Sequence, residues 1–242
     1  MNTLYITGAG VSAASGIPTF RGKDGYWTIG SKNYTPQQMA TRAMYQNAPS
    51  EFLQWYYHRF ITYRDHGPND VHRWLADKQL ITQNIDGLDG KAGNKNYISI
   101  HGRIDKVTYF HDQQDPDNGI SVGMQNAAWD QVDETNLAQS LLKLFKINGN
   151  PELNSSLKPY VLLFDEYYTE LYQISLAQQW MSQASKIVFI GTSFSVNITN
   201  MALQIAAYYD IPVEVVDPEP VLITHPNVKY HKMPALEYIQ RN

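Results

Sequence analysis

The sequence predicts an α/β protein with a Rossmann-like, doubly wound parallel sheet of about six strands. Short apolar segments rich in β-branched and aromatic residues alternate with segments of helical spacing, which is the pattern of right-handed strand–helix–strand crossovers. A glycine-rich turn directly follows the first apolar segment, and polar residues follow the others. The candidate strands are Leu4–Thr7, Leu80–Asn84, Tyr97–His101, Tyr160–Phe164, Lys186–Ile190 and Val213–Val216.

The turn after the first strand has the G-x-G-x-x-A form of a dinucleotide-binding fingerprint, with Gly8, Ala9, Gly10 and Ala13 at its defining positions. The first glycine allows a tight turn, and the second lets the backbone approach a pyrophosphate. The small third residue lets a helix pack closely, so that free N–H groups point at the phosphates. The turn therefore predicts a dinucleotide site.

The continuation of this turn differs from that of a common NAD dehydrogenase. Such an enzyme continues its helix and places an acidic ribose ligand about 20 residues further on. Here Gly16 and Pro18 interrupt the helix early, and Thr19, Phe20 and Arg21 follow on a loop. We expect this lid-like loop to help hold the cofactor.

Two stretches interrupt the alternation of strands and helices. Residues 30–77 are rich in aromatic side chains, and residues 103–157 begin with a polar turn and continue as an amphipathic helix. We interpret both as insertions that form a small, mainly helical domain. The sheet domain then comprises residues 1–29, 78–102 and 158–242, with a cleft between the two.

Composition excludes several classes of protein. A net charge of −4 argues against nucleic acid as a partner, because phosphate neutralisation needs a basic surface. No apolar run approaches the ~18 residues of a membrane span, and the first strand begins too early for a signal peptide, so we expect a cytoplasmic protein. The chain has no cysteine, and its seven histidines form no compact motif, so we expect no metal.

Polar residues follow every candidate strand. Because ligands of open α/β sheets bind beyond the carboxyl ends of the strands, these residues predict one shared cleft. They are Gly8, Ala9 and Gly10; Gln83, Asn84 and Asp86; His101; Asp165 and Glu166; Gly191, Thr192 and Ser193; and Asp217.

Several of these segments resemble the signatures of the sirtuins, a family of NAD-dependent protein deacylases. Residues 8–22 match the first signature, and residues 82–93 match the pattern T-Q-N-I-D-x-L-H-x-x-A-G except at Asp89, where histidine is usual. His101-Gly102 follows at the end of the next strand, and residues 191–196 resemble G-T-S-x-x-V. The resemblance implies NAD as the cofactor.

The resemblance also implies roles for these residues. Asn84 and Asp86 line the nicotinamide–ribose pocket, and His101 is the general base. A lone histidine at a strand end is usually structural, but a neutral imidazole near pH 7 suits the removal of a ribose proton. The resemblance implies that Gly191, Thr192 and Ser193 wrap the phosphates and the adenosine ribose and that Asp217 lies near that ribose. The other residues it assigns to the cofactor are Gly8, Ala9, Gly10, Ala13, Thr19, Phe20, Arg21 and Gln83.

Sirtuins carry a zinc ribbon of four cysteines between the His-Gly and F-G-E motifs, and this chain has no cysteine there. The resemblance therefore implies a zinc-free, bacterial-type variant. In zinc modules the metal supplies much of the folding free energy. We expect an apolar helix face through Leu137, Leu141 and Phe145 to replace it.

Residues 158–166 are similar to the R-P-x-V-V-x-F-G-E segment that pairs with the substrate peptide in sirtuins, with Lys158 and Asp165 replacing Arg and Gly. The resemblance assigns Val161, Phe164, Asp165 and Glu166 to the substrate. Tyr56 and Arg59 form the Y-x-x-R pair of sirtuins that remove acidic acyl groups. An aromatic core residue followed by a surface arginine would give the same spacing.

The expected activity is NAD-dependent removal of an acyl group from lysine in a protein or peptide. In the family mechanism the acyl oxygen attacks the ribose C1′, nicotinamide leaves, and the acyl group is transferred to ADP-ribose. An NAD hydrolase, an ADP-ribosyl transferase and a non-catalytic NAD-sensing module are the alternatives. The sequence leaves the oligomeric state and the acyl preference open.

Overall fold

The computed structural model describes residues 2–19, 34–114 and 123–242. The described strands are β1 (Thr3–Thr7), β2 (Gln79–Thr82), β3 (Tyr97–Ser99), β4 (Gly102–Tyr109), β5 (Gln125–Asn126), β6 (Leu157–Val161), β7 (Lys186–Ile190), β8 (Val213–Val216) and β9 (Val228–His231). The main sheet has six parallel strands in the order β3-β2-β1-β7-β8-β9. This order confirms the Rossmann-like fold. Successive strands are added on one side of β1 up to β3 and on its other side from β7 onward, and ligands of such sheets bind at this reversal point between β1 and β7.

The strand predicted at Tyr160–Phe164 does not belong to the parallel sheet. Residues 157–161 form β6, which pairs antiparallel with β4 in a separate three-stranded sheet of order β5-β4-β6. The sixth parallel strand is β9, which was not predicted because its alternating Val228-Lys229-Tyr230-His231 pattern is short and half-polar. β4 was missed for a similar reason, since charged residues alternate with its apolar ones.

The chain after β1 forms two short 3-10 turns, Ala9–Val11 and Ala13–Ser15, in place of a long helix. Gly16 ends the second turn with a φ of 82°, a left-handed conformation that favours glycine. The early interruption predicted from Gly16 and Pro18 is therefore confirmed. The described helices are α1 (Pro36–Met39), α2 (Arg42–Asn47), α3 (Pro49–Tyr63), α4 (Asp70–Trp74), α5 (Leu88–Lys91), α6 (Leu137–Leu144), α7 (Ile174–Gln183), α8 (Asn197–Tyr208) and α9 (Ala235–Gln240).

Helices cover both faces of the parallel sheet. On one face the strands pack against α7 and α8 through Ala177, Met181, Ile198 and Ala202, all fully buried. On the other face α4 and α9 cover the strands with apolar side chains such as Val71 and Tyr238. Burial on both faces explains why the central strands are continuous apolar runs in the sequence.

A third apolar core lies outside the parallel sheet. It joins α1, α2, α3 and α6 to the three-stranded sheet through large side chains, including Phe52, Trp129, Leu141 and Phe145. Leu141 and Phe145 belong to the helix face that the sequence singled out, whereas Leu137 is only partly buried at its edge. In residues 2–19, 34–114 and 123–242, His, Asp and Glu form no group of three or more that could hold a metal ion.

A buried ion pair links the small sheet to the chain that follows it. The Lys158 ammonium on β6 donates to both carboxylate oxygens of Glu166, at 2.7 and 2.5 Å, and neither side chain is exposed. The Arg42 guanidinium approaches the same carboxylate at 3.2 Å. Burial lowers the pKa of Lys158, and the Glu166 charge opposes that shift. Removal of either partner would leave an uncompensated buried charge.

We therefore expect Glu166→Gln to lower the free energy of unfolding by about 3–5 kcal/mol, because Lys158 loses its counter-ion in a fully buried site. The matched control is Asp130→Asn, which breaks an exposed pair with Arg64 (2.8 Å) and should change stability by less than about 1 kcal/mol. Urea unfolding measures both values. Equal effects of the two substitutions would contradict the prediction.

Candidate active site

The two glycine turns at the reversal point of the sheet touch backbone to backbone. The Gly8 N–H donates to the Ile190 carbonyl and the Gly10 N–H to the Gly191 carbonyl, both at 3.0 Å. A Cβ atom on Gly10 would lie 2.7 Å from the Cα of Gly191, and Gly191 itself has a φ of +61°. Larger residues at these positions would separate the ends of β1 and β7, so the glycines build the floor of the crevice.

Three polar side chains meet above the first turn. The Ser12 hydroxyl donates to Asp86 Oδ2 at 2.7 Å, and Asn84 Nδ2 donates to Ser12 Oγ and to the Gly8 carbonyl, both at 3.1 Å. The other Asp86 oxygen accepts from the backbone N–H of Leu88 at the start of α5. Ser12 was not among the predicted site residues, although it lies inside the fingerprint. This network fixes the directions of the Asn84 amide and the Asp86 carboxylate.

A second hydrogen bond joins the loops after β2 and β7. Gln83 Nε2 donates to Thr192 Oγ1 at 3.1 Å. The predicted cofactor residues Gln83, Asn84, Asp86, Gly191 and Thr192 are thus brought together at the carboxyl edge of the sheet.

His101 lies at this edge, directly after β3, with both ring nitrogens engaged. Its Nδ1 is 3.0 Å from the Gln83 carbonyl oxygen, and its Nε2 is 2.9 Å from the Tyr168 hydroxyl. A carbonyl only accepts, so we assign the ring proton to Nδ1 and the lone pair to Nε2. Burial lowers the pKa of His101 to about 4, and the imidazole is neutral near pH 7. Tyr168 was missed, because nothing in the sequence links residues 67 positions apart.

A cavity of about 240 Å³ lies beside Ser12, Asn84 and Asp86. Its lining also includes Ala9 and Arg59 of α3. A cavity of roughly 150 Å³ already admits a benzene ring. A planar aromatic amide fits this lining. The Asp86 carboxylate can accept hydrogen bonds from the amide N–H groups, and Ile17 and Ile85 provide apolar walls for the ring. The residues present therefore fit the nicotinamide end of NAD.

Asp89, the residue that departs from the sirtuin pattern, is buried on α5 beneath the site. Only 2% of its surface is exposed. Burial, together with the nearby Asp86 charge, raises the pKa of Asp89 to about 7, against a smaller lowering by the Thr82 hydroxyl. The Asp89 carboxyl therefore holds its proton more firmly than an exposed aspartate does.

The remaining predicted cofactor residues are more scattered. Ala13 and Thr19 follow the glycine turn, and the Ser193 hydroxyl is 2.8 Å from that of Ser195. Asp217 ends β8, where its Oδ1 accepts from the backbone N–H of Glu219 at 2.9 Å. Phe20 and Arg21 lie outside the described residues.

The predicted substrate segment is anchored to α2. The Asp165 carboxylate accepts from the backbone N–H groups of Arg42 and Ala43, at 2.6 and 3.1 Å, and the Phe164 N–H donates to the Ala40 carbonyl at 3.0 Å. Glu166 is engaged in the buried ion pair. Val161 is buried in the small core.

The structure separates the members of the Y-x-x-R pair. Tyr56 is 2% exposed and packs in the small core against Phe52 and Trp55. Arg59 is also buried, with its guanidinium over the Trp55 ring and a hydrogen bond to the Trp55 carbonyl, yet it lines the cavity. Of the two, Arg59 is the one in position to meet a ligand there.

The strand order, the glycine contact and the polar residues at the sheet edge define a dinucleotide-binding α/β protein with a small additional sheet. The Sir2 family model matches residues 8–198. The chain belongs to the Sir2 family.

Curated relatives with similar sequences carry deacylase names. An NAD-dependent protein deacylase of Leptospira interrogans is 33% identical over 208 residues, covering 83% of this chain and 75% of that protein. One of Daphnia pulex is 28% identical over 241 residues, covering 93% and 85%. The NAD-dependent protein deacylase 1 of Caldanaerobacter subterraneus is 42% identical over 112 residues, 45% of its length, so that this match spans less than half of that relative.

Solved structures are similar over nearly the whole chain. A mutant Sir2 homologue in complex with ADP-ribose has a TM-score of 0.74 at 25% identity and covers 99% of this chain and 89% of its own. A complex of a Sir2 homologue with NAD has a TM-score of 0.73 at 26% identity, covering 99% and 87%. In the described part of the present chain, no helix has the length and apolar character needed to cross a bilayer.

The raised pKa of Asp89 generates a prediction for stability. A carboxyl whose pKa is raised by folding stabilises the protein most below its unfolded pKa and loses that contribution as the pH rises through about 7. Asp89→Asn removes the charge and keeps an oxygen for the Thr82 hydroxyl. We expect its Tm to exceed that of the wild type by a margin that widens between pH 5 and 7 and then levels off. A margin independent of pH would contradict this.

Proposed function

We propose that this protein is an NAD-dependent protein-lysine deacylase that cleaves the nicotinamide–ribose bond and transfers the acyl group to ADP-ribose. One observation carries the proposal: a neutral histidine, His101, presents a basic nitrogen at the sheet edge that also holds Asn84 and Asp86. The family membership and the names of the curated relatives support it.

The glycine turns suit the pyrophosphate, because they lie at the reversal point of the sheet and Gly8, Gly10 and Gly191 have no side chains to block a phosphate. Asp86 would accept from the carboxamide of nicotinamide, and Asn84 would orient the adjoining ribose. When bound, NAD supplies the leaving group and the ribose carbon that receives the acyl oxygen. Gly191, Thr192 and Ser193 would hold the phosphates and the adenosine side, with Asp217 near the second ribose.

His101 would accept a proton from a ribose hydroxyl at Nε2. Its Nδ1 proton points at the Gln83 carbonyl, and Gln83 is in turn held by Thr192. The imidazole is therefore oriented before any ligand binds, which lowers the reorganisation that catalysis requires. Its low pKa keeps the basic nitrogen unprotonated through the neutral range.

Hydrolysis of NAD by water is the second candidate. The F-D-E segment that would pair with a peptide is already engaged: the Asp165 carboxylate accepts from the start of α2, and the Phe164 N–H donates to Ala40 at the end of α1. An enzyme that binds peptide poorly would let water take the place of the acyl oxygen. An ADP-ribosyl transferase would direct another nucleophile to the same ribose carbon.

The acyl group itself would extend toward Arg59. Arg59 and Asp86 line the same cavity, and a carboxylate at the end of an acyl chain would form a charge-assisted hydrogen bond with the guanidinium. Tyr56 would act only through the packing of α3, since it is enclosed in the small core.

The same proposal includes the organisation and setting of the protein. Residues 30–77 and 103–157 would form a small domain beside the sheet domain, supported by the apolar core that α1, α2, α3 and α6 share, although α4 within this range packs on the parallel sheet. The protein would be cytoplasmic and would act without a metal, as the absence of cysteine suggests. The acidic net charge supports protein or peptide substrates over nucleic acid.

We expect His101→Ala to lower kcat/KM roughly 10²–10⁴-fold, because the ribose hydroxyl loses its proton acceptor. Nicotinamide release from NAD, with and without an acetyl-lysine peptide, is the measurement. His58→Ala, at an exposed position on α3, is the control and should keep wild-type turnover. Near-normal turnover in a folded His101→Ala protein would remove His101 from the mechanism.

The same assay separates the two candidate reactions. Nicotinamide release that depends on the acyl-lysine peptide identifies a deacylase. Equal consumption of NAD without peptide identifies a hydrolase and would overturn the main proposal.

For the acyl preference we expect Arg59→Met to weaken kcat/KM for a succinyl-lysine peptide about 10–100-fold, through loss of a bond to a carboxylate. Acetyl-lysine should be nearly unaffected. Arg64→Met is a matched control, since Arg64 also lines the cavity but is partly exposed and paired with Asp130. A parallel loss for both peptides, or a wild type that prefers acetyl-lysine, would contradict an acidic-acyl role for Arg59.

A further inference from the structure

Tyr168 occupies the one nitrogen of His101 that a substrate would need. Its hydroxyl oxygen is 2.9 Å from Nε2, and the two rings lie nearly parallel, with an interplanar angle of 25° and centroids 5.9 Å apart. Tyr168 lies between β6 and α7, two residues beyond the buried carboxylate of Glu166. The contact is therefore made by a segment separate from the strand that carries His101.

The direction of this hydrogen bond follows from its neighbours. His101 Nδ1 holds the ring proton against the Gln83 carbonyl, so Nε2 can only accept. Burial raises the pKa of Tyr168 to about 12, so the phenol keeps its proton and donates it to Nε2. A neutral imidazole nitrogen has one lone pair, and the phenol uses it.

The backbone N–H of Ile198, in the first turn of α8, acts against this shift and lowers the Tyr168 pKa by a smaller amount. The hydrogen bond of the Tyr168 hydroxyl goes to His101 Nε2. A phenylalanine would fill the same space without making this contact.

We propose that Tyr168 is a positioning residue whose phenol caps His101, that is, donates a hydrogen bond to its basic nitrogen Nε2. Only a sugar hydroxyl anchored by the nucleotide loops displaces the phenol from that nitrogen. The inference rests on the proposed function, because it takes His101 as the group that meets the ribose.

The cap makes the phenol and the sugar hydroxyl mutually exclusive partners of Nε2. A free water molecule would have to break the phenol contact with no other anchor. A dinucleotide held at Gly10 and Gly191 has binding free energy from those contacts to offset the loss. Tyr168 therefore weakens ligand binding slightly, because its phenol competes with the sugar hydroxyl. The same hydrogen bond keeps the His101 imidazole oriented and shielded in the free protein.

The test is Tyr168→Phe, measured by binding of ADP-ribose and by NMR titration of His101. A neutral hydrogen bond contributes about 0.5–1.5 kcal/mol, so its loss should tighten the Kd for ADP-ribose roughly 2–10-fold. The pKa of His101 should rise by about half to one pH unit, because the bond stabilises only the neutral ring. Tyr167→Phe, at the exposed neighbouring tyrosine, should change neither value.

An unchanged or weaker Kd for ADP-ribose, or an unchanged His101 pKa, would overturn the proposal. If the variant does not fold, the wild-type protein provides the test: the nuclear Overhauser contact between the Tyr168 and His101 rings should disappear when ADP-ribose is added, and its persistence would overturn the cap. Neither readout depends on turnover. Failure of the deacylase proposal, seen as nicotinamide release that is absent or independent of the peptide, is therefore distinguishable from failure of this one.

Discussion

The backbone contact between the turns after β1 and β7 is the constraint on which the site depends. Gly10 and Gly191 approach so closely that a Cβ on Gly10 would lie 2.7 Å from the Cα of Gly191. This approach fixes the spacing between the two central strand ends, at the point where the order of the sheet reverses. Residues carried by either strand then face one crevice. Without that spacing, the hydrogen bond from Gln83 to Thr192 could not form across it.

The electronic state of His101 follows from the same geometry. The Gln83 side chain is held by Thr192, and its backbone carbonyl fixes the proton on Nδ1 of the imidazole. That leaves Nε2 as the acceptor, in a setting where burial keeps the ring neutral. The hydrogen bond to the backbone carbonyl of Gln83 thus determines which nitrogen of His101 is basic.

The sequence predicted what local chemistry determines and missed what long-range pairing determines. The glycine turn, the parallel strands and the polar residues at strand ends are encoded within short windows, and the structure confirms that fold. The strand expected at Tyr160–Phe164 joined a different sheet, because an apolar run does not specify its partner. The contact of Tyr168 with His101 was missed for the same reason, since no pattern connects side chains separated by 67 positions.

The departures from the sirtuin pattern at Lys158 and Asp165 have one physical explanation. Lys158 places a buried cation against Glu166, and the Asp165 carboxylate accepts from the first N–H groups of α2. A carboxylate at a helix N-terminus satisfies donors that the helix leaves free, and the helix dipole favours its charge. Asp165 therefore fastens the segment after β6 to α2, and Lys158 fastens that segment to β6 through Glu166, which Arg42 of α2 also approaches. Charge pairing and capping hold together a small core that contains no cysteine.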